Sequence, residues 1–428
     1  MPDSVPEKLP PRRRAVITGI GPIAACGIGL DAFWSTIREG RSGIAPVSFF
    51  DASIFHARNA GEVRDWDATQ FFPAHRLKRL DRYAQFAVAS AQLALEDARL
   101  PWSREQPDAR RGVSFGTALG GFSNAEAEHA RFLKKGPRGV NQTLALQVFG
   151  GSAHSNIAIE YGFCGIGTTC SNSCASGAVA IGEALRYIRD GWADVMIAGG
   201  AEAPLWPLTF GAFDFIKTMS RWQGEPAAFG CRPFDKERDG FVMGEGACSF
   251  VIEEYEHAVR RGAHIYAEVL GYALNNDAYH MTSPAPDGIR VSDCMCTALA
   301  DARVAPRDIG YINAHASSTQ INDANETACI RRVFGASGNE PPPVSGTKPF
   351  TGHPLGATAA METAICALAL RDQWLPPTLH HRTPDPACDI DVVPNTGRAH
   401  RFRYAMNNAF GFGGANCSLV LSLDTLTA

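Results

Sequence analysis

The sequence predicts an α/β protein whose sheets are covered by helices on both faces, and three observations carry that prediction. Short apolar runs ending in glycine alternate with longer segments whose apolar residues recur every three or four positions. Hydrophobic residues make up 45% and charged residues 20% of the 428 residues, which suits a large buried core. No stretch rich in proline, glycine and serine divides the chain, so two intimately packed halves are expected rather than independent modules.

Taken in order, residues 1–13 (MPDSVPEKLPPRR) read as a flexible leader, because proline and charge dominate them. The apolar run 15–19 is the first strand, and 112–116, 195–198, 247–252, 265–272 and 311–313 repeat its pattern. Helical periodicity marks 31–38, 81–98, 143–160, 175–189 and 356–371. The runs 15–20 and 267–272 each open a strand, helix and strand series that later carries a glycine-rich turn. Segment 220–239 is irregular, polar and proline-bearing, and is read as a mobile loop at the mouth of a site, coupled to the turn around Phe412.

Charge and cysteine usage exclude several function classes. With Lys+Arg 40 against Asp+Glu 44 the net charge is −4, which leaves no global field to attract nucleic acid. The longest charge-free stretches, 139–159 and 161–182, are interrupted by Asn, Gln, Ser, Thr and His, so no membrane span is expected. The 12 cysteines form no Cys-x-x-Cys pair, which favours a reducing cytoplasm over a disulfide framework or structural zinc. Walker A, His-Glu-x-x-His and Gly-x-Gly-x-x-Gly patterns are absent, so neither a metal nor a nucleotide cofactor is expected.

Four segments combine reactive side chains with small-residue turns. Cys174, in Cys170-Ser-Asn-Ser-Cys174-Ala-Ser-Gly, directly precedes a predicted helix, where the peptide dipoles favour a thiolate and Ala175, Ser176 and Gly177 leave room for a substrate. His315, in Asn313-Ala-His315-Ala-Ser317-Ser-Thr319, follows an apolar strand. Lys348 and His353 lie five residues apart, ahead of an alanine-rich helix that carries Glu362. Asn408-Ala-Phe410-Gly-Phe412-Gly-Gly-Ala-Asn416 joins two strand-like runs and suits the aiming of backbone N–H groups at an oxyanion. Together they supply a nucleophile, two proton donors and an oxyanion hole.

With these motifs, and with Arg232-Pro-Phe-Asp-Lys-Glu-Arg-Asp-Gly-Phe-Val-Met-Gly-Glu-Gly246 and Asp277-Ala-Tyr-His-Met-Thr-Ser-Pro284, the chain resembles the elongating β-ketoacyl-[acyl carrier protein] synthases. The resemblance runs from about Arg14 to Leu423. It implies a thiolase-like five-layer αβαβα fold of two similar halves, 14–261 with the nucleophile and 262–428 with the histidines, usually paired as a dimer with itself or a related subunit. It also implies that Cys174 accepts an acyl group from a carrier protein, that His315 and His353 stabilise the enolate formed when malonyl carrier protein loses CO2, and that Lys348 with Glu362 orders them. The N–H groups of Cys174 and Phe412 would form the oxyanion hole. Ser317, Thr319, Phe412, Thr209, Phe213 and Leu119 would contact the substrate, with the Phe412 ring as a gate, and Asp277, Asp323 and Glu326 would be supporting residues. Substrates would arrive on phosphopantetheine, with no other cofactor. Arg76, Lys78, Arg79 and Arg82 offer a basic dock for an acidic carrier protein, with Lys78 and Arg79 foremost.

Three departures from that family's pattern stand out. Asn172 and Ser173 are more polar than the usual small pair before the nucleophile, Ala316 replaces a common glycine, and Thr209 stands where glycine is frequent. They bear on acyl length and on whether the pathway makes fatty acids or a polyketide or polyene beside a chain-length factor. A thiolase acting on acyl-CoA would pair one histidine with a second cysteine instead. Gly112-Val-Ser114-Phe-Gly116 also matches the serine-hydrolase pattern, but that chemistry needs Ser114 on a sharp turn between strand and helix.

Overall fold

One strand order is written twice in this computed structural model, which describes residues 12–335 and 340–423. In the first half the strands Ala15–Ala24, Arg111–Gly116, Gly167–Cys170, Val195–Glu202 and Gly246–Glu254 lie side by side as third, second, fourth, fifth, first. In the second half Ala267–Asn276, Ile309–Asn313, Val344–Ser345, Tyr404–Gly411 and Ala415–Ser422 lie in the same order. In both, the second strand runs parallel to the third and fourth, and the fifth runs antiparallel to the fourth and first. The two first strands meet at Val16 with Glu268 and Ile17 with Ala267.

Between the sheets lie Ser176–Arg189 and Thr358–Asp372, which share one apolar core with the sheets' inner faces. Thr358–Asp372 is buried from Thr358 to Leu370, so its apolar residues surround it instead of forming a stripe. A Cβ at Gly177 would lie 2.9 Å from the Ala360 nitrogen, so glycine is what lets the two central helices touch. Outside, Arg82–Asp97 and Ser152–Tyr161 cover the first sheet, while Ile289–Ala302 and Gln320–Phe334 cover the second. Arg82–Asp97 starts where the Asp81 carboxylate caps the Tyr83 N–H, and it buries Tyr83 and Phe86, each side chain contributing about 1.5–3 kcal/mol by burial. The five layers are those the resemblance implies.

Three expectations are corrected. The helix over 143–160 is two helices, Leu144–Gln147 and Ser152–Tyr161, split at Phe149-Gly150-Gly151. Two glycines weaken the helix there, and the Tyr83 hydroxyl lies 3.1 and 3.2 Å from the Phe149 and Gly150 carbonyls. The loop expected to move over 220–239 is fastened along its second part. Arg238, 2% exposed, donates to the carbonyls of Asp235, Thr319 and Gln320 and to Asp385 at 2.6 Å. Of the leader, 1–11 lie outside the described residues, whereas Arg12 pairs with Asp301 at 2.9 Å and Arg13 bonds Asp194.

Candidate active site

Cys174 sits where the Gly167–Cys170 strand turns into the central helix through a single tight turn, Ser173–Ala175. The Ser176 hydroxyl fixes that turn, donating to the Ser173 carbonyl at 2.6 Å and accepting from the Asn172 N–H at 2.9 Å. Ser173 takes a left-handed φ of 52°. The Gly411–Phe412 turn packs directly against it: a Cβ at Gly411 would lie 2.8 Å from the Asn172 oxygen and 3.1 Å from the Cys174 nitrogen. This close approach brings the Phe412 N–H to the side of the Cys174 thiol, where it opposes the effect of burial.

The second half supplies the remaining groups. His315 follows Ile309–Asn313, and the N–H groups of His315 and Ala316 both donate to Glu326 at 2.8 Å. Ala316 has a φ of 40°, so this backbone does require the left-handed region that glycine adopts freely. His353 is clasped between the Val242 carbonyl, 2.7 Å from its N–H, and the Gly244 N–H, and its Nδ1 lies 2.7 Å from Thr358 Oγ1. The two imidazoles stand edge to face with centroids 5.5 Å apart. Lys348, 1% exposed, places Nζ 2.6 Å from Glu362 Oε1 and also donates to the His315 carbonyl.

A cavity of about 430 Å³ gathers Cys174, His315, His353, Ser317, Thr319, Phe213 and Phe412 on its walls. A second, of about 440 Å³, is lined by Leu119, Asn172, Ser173 and Asn276. Phe213, Leu355 and Phe412 border both, and the Phe213 and Phe412 rings stack at 6.1 Å, so Phe412 stands at the partition between them. The Ser317 and Thr319 hydroxyls are 2.9 Å apart on the first wall.

Burial governs the electrostatics. It pushes the Cys174 thiol up to about 11, while the Ser173 hydroxyl, the Lys348 charge and the Phe412 N–H pull it down. The helix start therefore does not by itself make a resting thiolate. Burial holds both imidazoles well below their ordinary value, and the Lys348 ammonium holds them lower still, so they are neutral. The same burial raises Glu362 against the opposing pull of Lys348. The centre thus offers a protonated thiol and two neutral N–H donors beside one buried ion pair.

Several expected residues lie elsewhere or act differently. Thr209 is buried on Pro207–Phe215 and lines neither cavity. Ser114 is fully buried within the Arg111–Gly116 strand, with Oγ 4.0 Å from Cys170 Sγ, so the sharp turn a serine nucleophile needs is missing. Lys78 and Arg79 are exposed just ahead of Arg82–Asp97, whereas Arg82 pairs with Glu245 at 2.6 Å and Arg76 with Glu160 at 2.9 Å. Asp277 lines the first cavity, and Asp323 accepts the Phe234 N–H. Glu202 stands outside the motifs above: its carboxylate takes the N–H groups of Ala118 and Leu119 from one half and of Gly356 from the other. Its position at the end of an apolar strand, after two glycines, was the available signal.

The family pattern described as "Beta-ketoacyl synthase, N-terminal domain" matches residues 12–258, and "Beta-ketoacyl synthase, C-terminal domain" matches 266–382. Proteins named 3-oxoacyl-[acyl-carrier-protein] synthase 2 are 40% identical over 408 residues in Synechocystis sp. and 41% identical over 409 residues in Vibrio harveyi. Those alignments cover 95% and 96% of this chain and 97% and 98% of the relatives. Among solved structures, a β-ketoacyl synthase from Burkholderia phymatum superposes with a TM-score of 0.89 at 34% identity. A type II polyketide ketosynthase in complex with its acyl-carrier protein and bound to the hexaketide does so with 0.89 at 36%. Each superposition covers 96% of this chain and 99% of the other. The chain belongs to the β-ketoacyl synthase family.

Proposed function

We propose that this protein is an elongating 3-oxoacyl-[acyl carrier protein] synthase, joining an acyl group held on Cys174 to a malonyl unit with loss of CO2, in fatty acid synthesis. The observation that carries this reading is a thiol sharing one cavity with two neutral imidazoles whose centroids are 5.5 Å apart. In acylation Cys174 Sγ attacks the carrier thioester carbonyl, whose oxyanion is met by the N–H groups of Cys174 and Phe412. The pantetheine sulfur leaves and takes the proton given up by the thiol. Malonyl carrier protein then occupies the vacated arm site, beside the Ser317 and Thr319 hydroxyls.

Loss of CO2 leaves its electron pair on the malonyl α-carbon as an enolate, and neutral imidazoles suit it because they can donate without carrying charge of their own. Nδ1 of His353 lies 2.7 Å from the Thr358 hydroxyl; in the tautomer this reaction needs, that hydroxyl donates to Nδ1 and the ring's proton sits on Nε2, to be offered to the enolate oxygen. The α-carbon attacks the acyl-Cys174 carbonyl, and the Cys174 sulfur departs. Lys348 and Glu362 touch no reacting atom in this scheme; their ion pair positions His315 through its carbonyl.

The partner in this reading is an acyl carrier protein, approaching Lys78 and Arg79, and no further cofactor is required. The Gly167–Cys170 strand has an outer edge unpaired among the described residues, where a second copy or a related subunit would extend the sheet. Among the described residues no helix is long and apolar enough to cross a membrane. The test is intact mass after incubation with acyl carrier proteins of graded length. A gain of one acyl group, absent in Cys174→Ala, is expected, and saturated chains should load. Loading of short or polyunsaturated chains alone would assign the protein to a polyketide or polyene pathway, and no loading would contradict the nucleophile.

A further inference from the structure

The hydroxyl beside the nucleophile has a placement that the mechanism above does not use. Side chains of consecutive residues in regular structure point apart, yet Ser173 Oγ lies 3.7 Å from Cys174 Sγ. The left-handed φ of 52° at Ser173 makes this possible, a conformation that a non-glycine residue adopts only under strain. Both sides of the residue are held. Its carbonyl accepts the Ser176 hydroxyl at 2.6 Å, and its Cβ is 3.1 Å from where a Cβ on Gly411 would stand. The contact to Sγ is the one hydrogen bond of the Ser173 hydroxyl among the described residues.

We propose that Ser173 is a further catalytic residue: its hydroxyl donates to Cys174 Sγ as the thiol gives up its proton, and so speeds acylation. The inference rests on the reading of Cys174 as the acylated residue. Ser173 neither gains nor loses a proton over the cycle, because the thiol's proton leaves on the departing pantetheine sulfur. The hydroxyl works with the Phe412 N–H and the Lys348 ammonium and against the Glu202 carboxylate, while His315 and His353 share the cavity as neutral rings. Burial, and to a lesser extent the Glu202 carboxylate, push the thiol up, and Ser173 gives the largest of the opposing effects. Because Ser173 lines the second cavity, behind Phe412, the malonyl unit beside the histidines has no contact with it in this scheme.

The test is peptide-resolved alkylation of Cys174 by iodoacetamide from about pH 6 to about pH 11 in the full chain, comparing wild type with Ser173→Ala and Ser173→Gly. Glycine removes the hydroxyl and the backbone strain together, whereas alanine removes the hydroxyl alone. Both variants should shift the alkylation profile upward by roughly 0.5–1 pH unit and slow acyl loading by about three- to tenfold, a hydrogen bond to a charged group being at stake. CO2 release from malonyl carrier protein by enzyme already acylated should proceed at the wild-type rate, because that step puts no charge on the Cys174 sulfur, whereas a general loss of structure would slow it. Wild-type alkylation profiles in both variants would overturn the proposal, and so would wild-type reactivity in Ser173→Gly alone, which would assign the effect to strain. Alkylation reads the thiol without any carrier protein. A shifted profile in a protein that no acyl carrier protein loads would therefore contradict the proposed function and not the role of Ser173.

Discussion

The two halves share one strand order and differ in what they place at the same point of it. After its third strand the first half presents Cys174, at the start of Ser176–Arg189; after its own third strand the second half presents Lys348, ahead of Thr358–Asp372. The loop after the second strand is held by a buried carboxylate in both, Glu202 on Ala118 and Leu119, and Glu326 on His315 and Ala316. In the proposed reaction one copy thus carries the group that forms a bond and the other the groups that hold charge and protons. The proposed reaction centre lies where the central helices bring the copies together, and Glu202 accepts the Gly356 N–H across that seam.

Substitution at the paired positions should separate these roles, the largest difference being in stability. Lys348→Ala leaves the Glu362 carboxylate buried without its ammonium and should destabilise the fold by about 3–5 kcal/mol in denaturant titration. Cys174→Ala removes one small buried group and should cost no more than about 1 kcal/mol. Similar losses would break the contrast between the copies. A smaller effect is expected at the surface. Lys78→Glu with Arg79→Glu should lower kcat/KM roughly tenfold for carrier-protein substrates, and less for small thioester mimics. Equal losses on both would remove the dock from Lys78 and Arg79. The smallest effect is expected in the His315 loop, where Ala316→Gly relieves a φ of 40° and should change stability by no more than about 1 kcal/mol, in the stabilising direction. Destabilisation would mean that the alanine methyl packs better than its backbone is strained.

Much of this arrangement was legible in the sequence, because the reactive residues sit on short turns bounded by glycine or small residues. Cys174, His315, Lys348, His353 and Phe412 stand next to runs whose period marks strand or helix, and the structure gathers the cysteine, both histidines and Phe412 at one cavity. What sequence could not supply was context from distant segments. The break at Phe149-Gly150-Gly151 depends on the Tyr83 hydroxyl, the φ of Ala316 on the Glu326 clasp, and the anchoring of 231–240 on Arg238 among carbonyls more than 80 residues away. The resting state of Cys174 reverses the simple expectation for the same reason. A helix start favours thiolate locally, but two packed halves remove the water that would solvate it. Ile289–Ala302 and Gln320–Phe334 carry no plain helical period in sequence, because Asp, Asn, Cys and Thr interrupt their apolar spacing.

The division of labour between the halves is tested most directly by a single turnover. His315→Ala and His353→Ala would each be acylated on Cys174, checked by mass, and then mixed with malonyl carrier protein while CO2 release and the 3-ketoacyl product are followed. Acylation at a near wild-type rate, with condensation slowed about 10²–10³-fold, is the predicted result for loss of one oxyanion donor. Condensation at the wild-type rate in either variant, or failure of both to accept the acyl group, would contradict it.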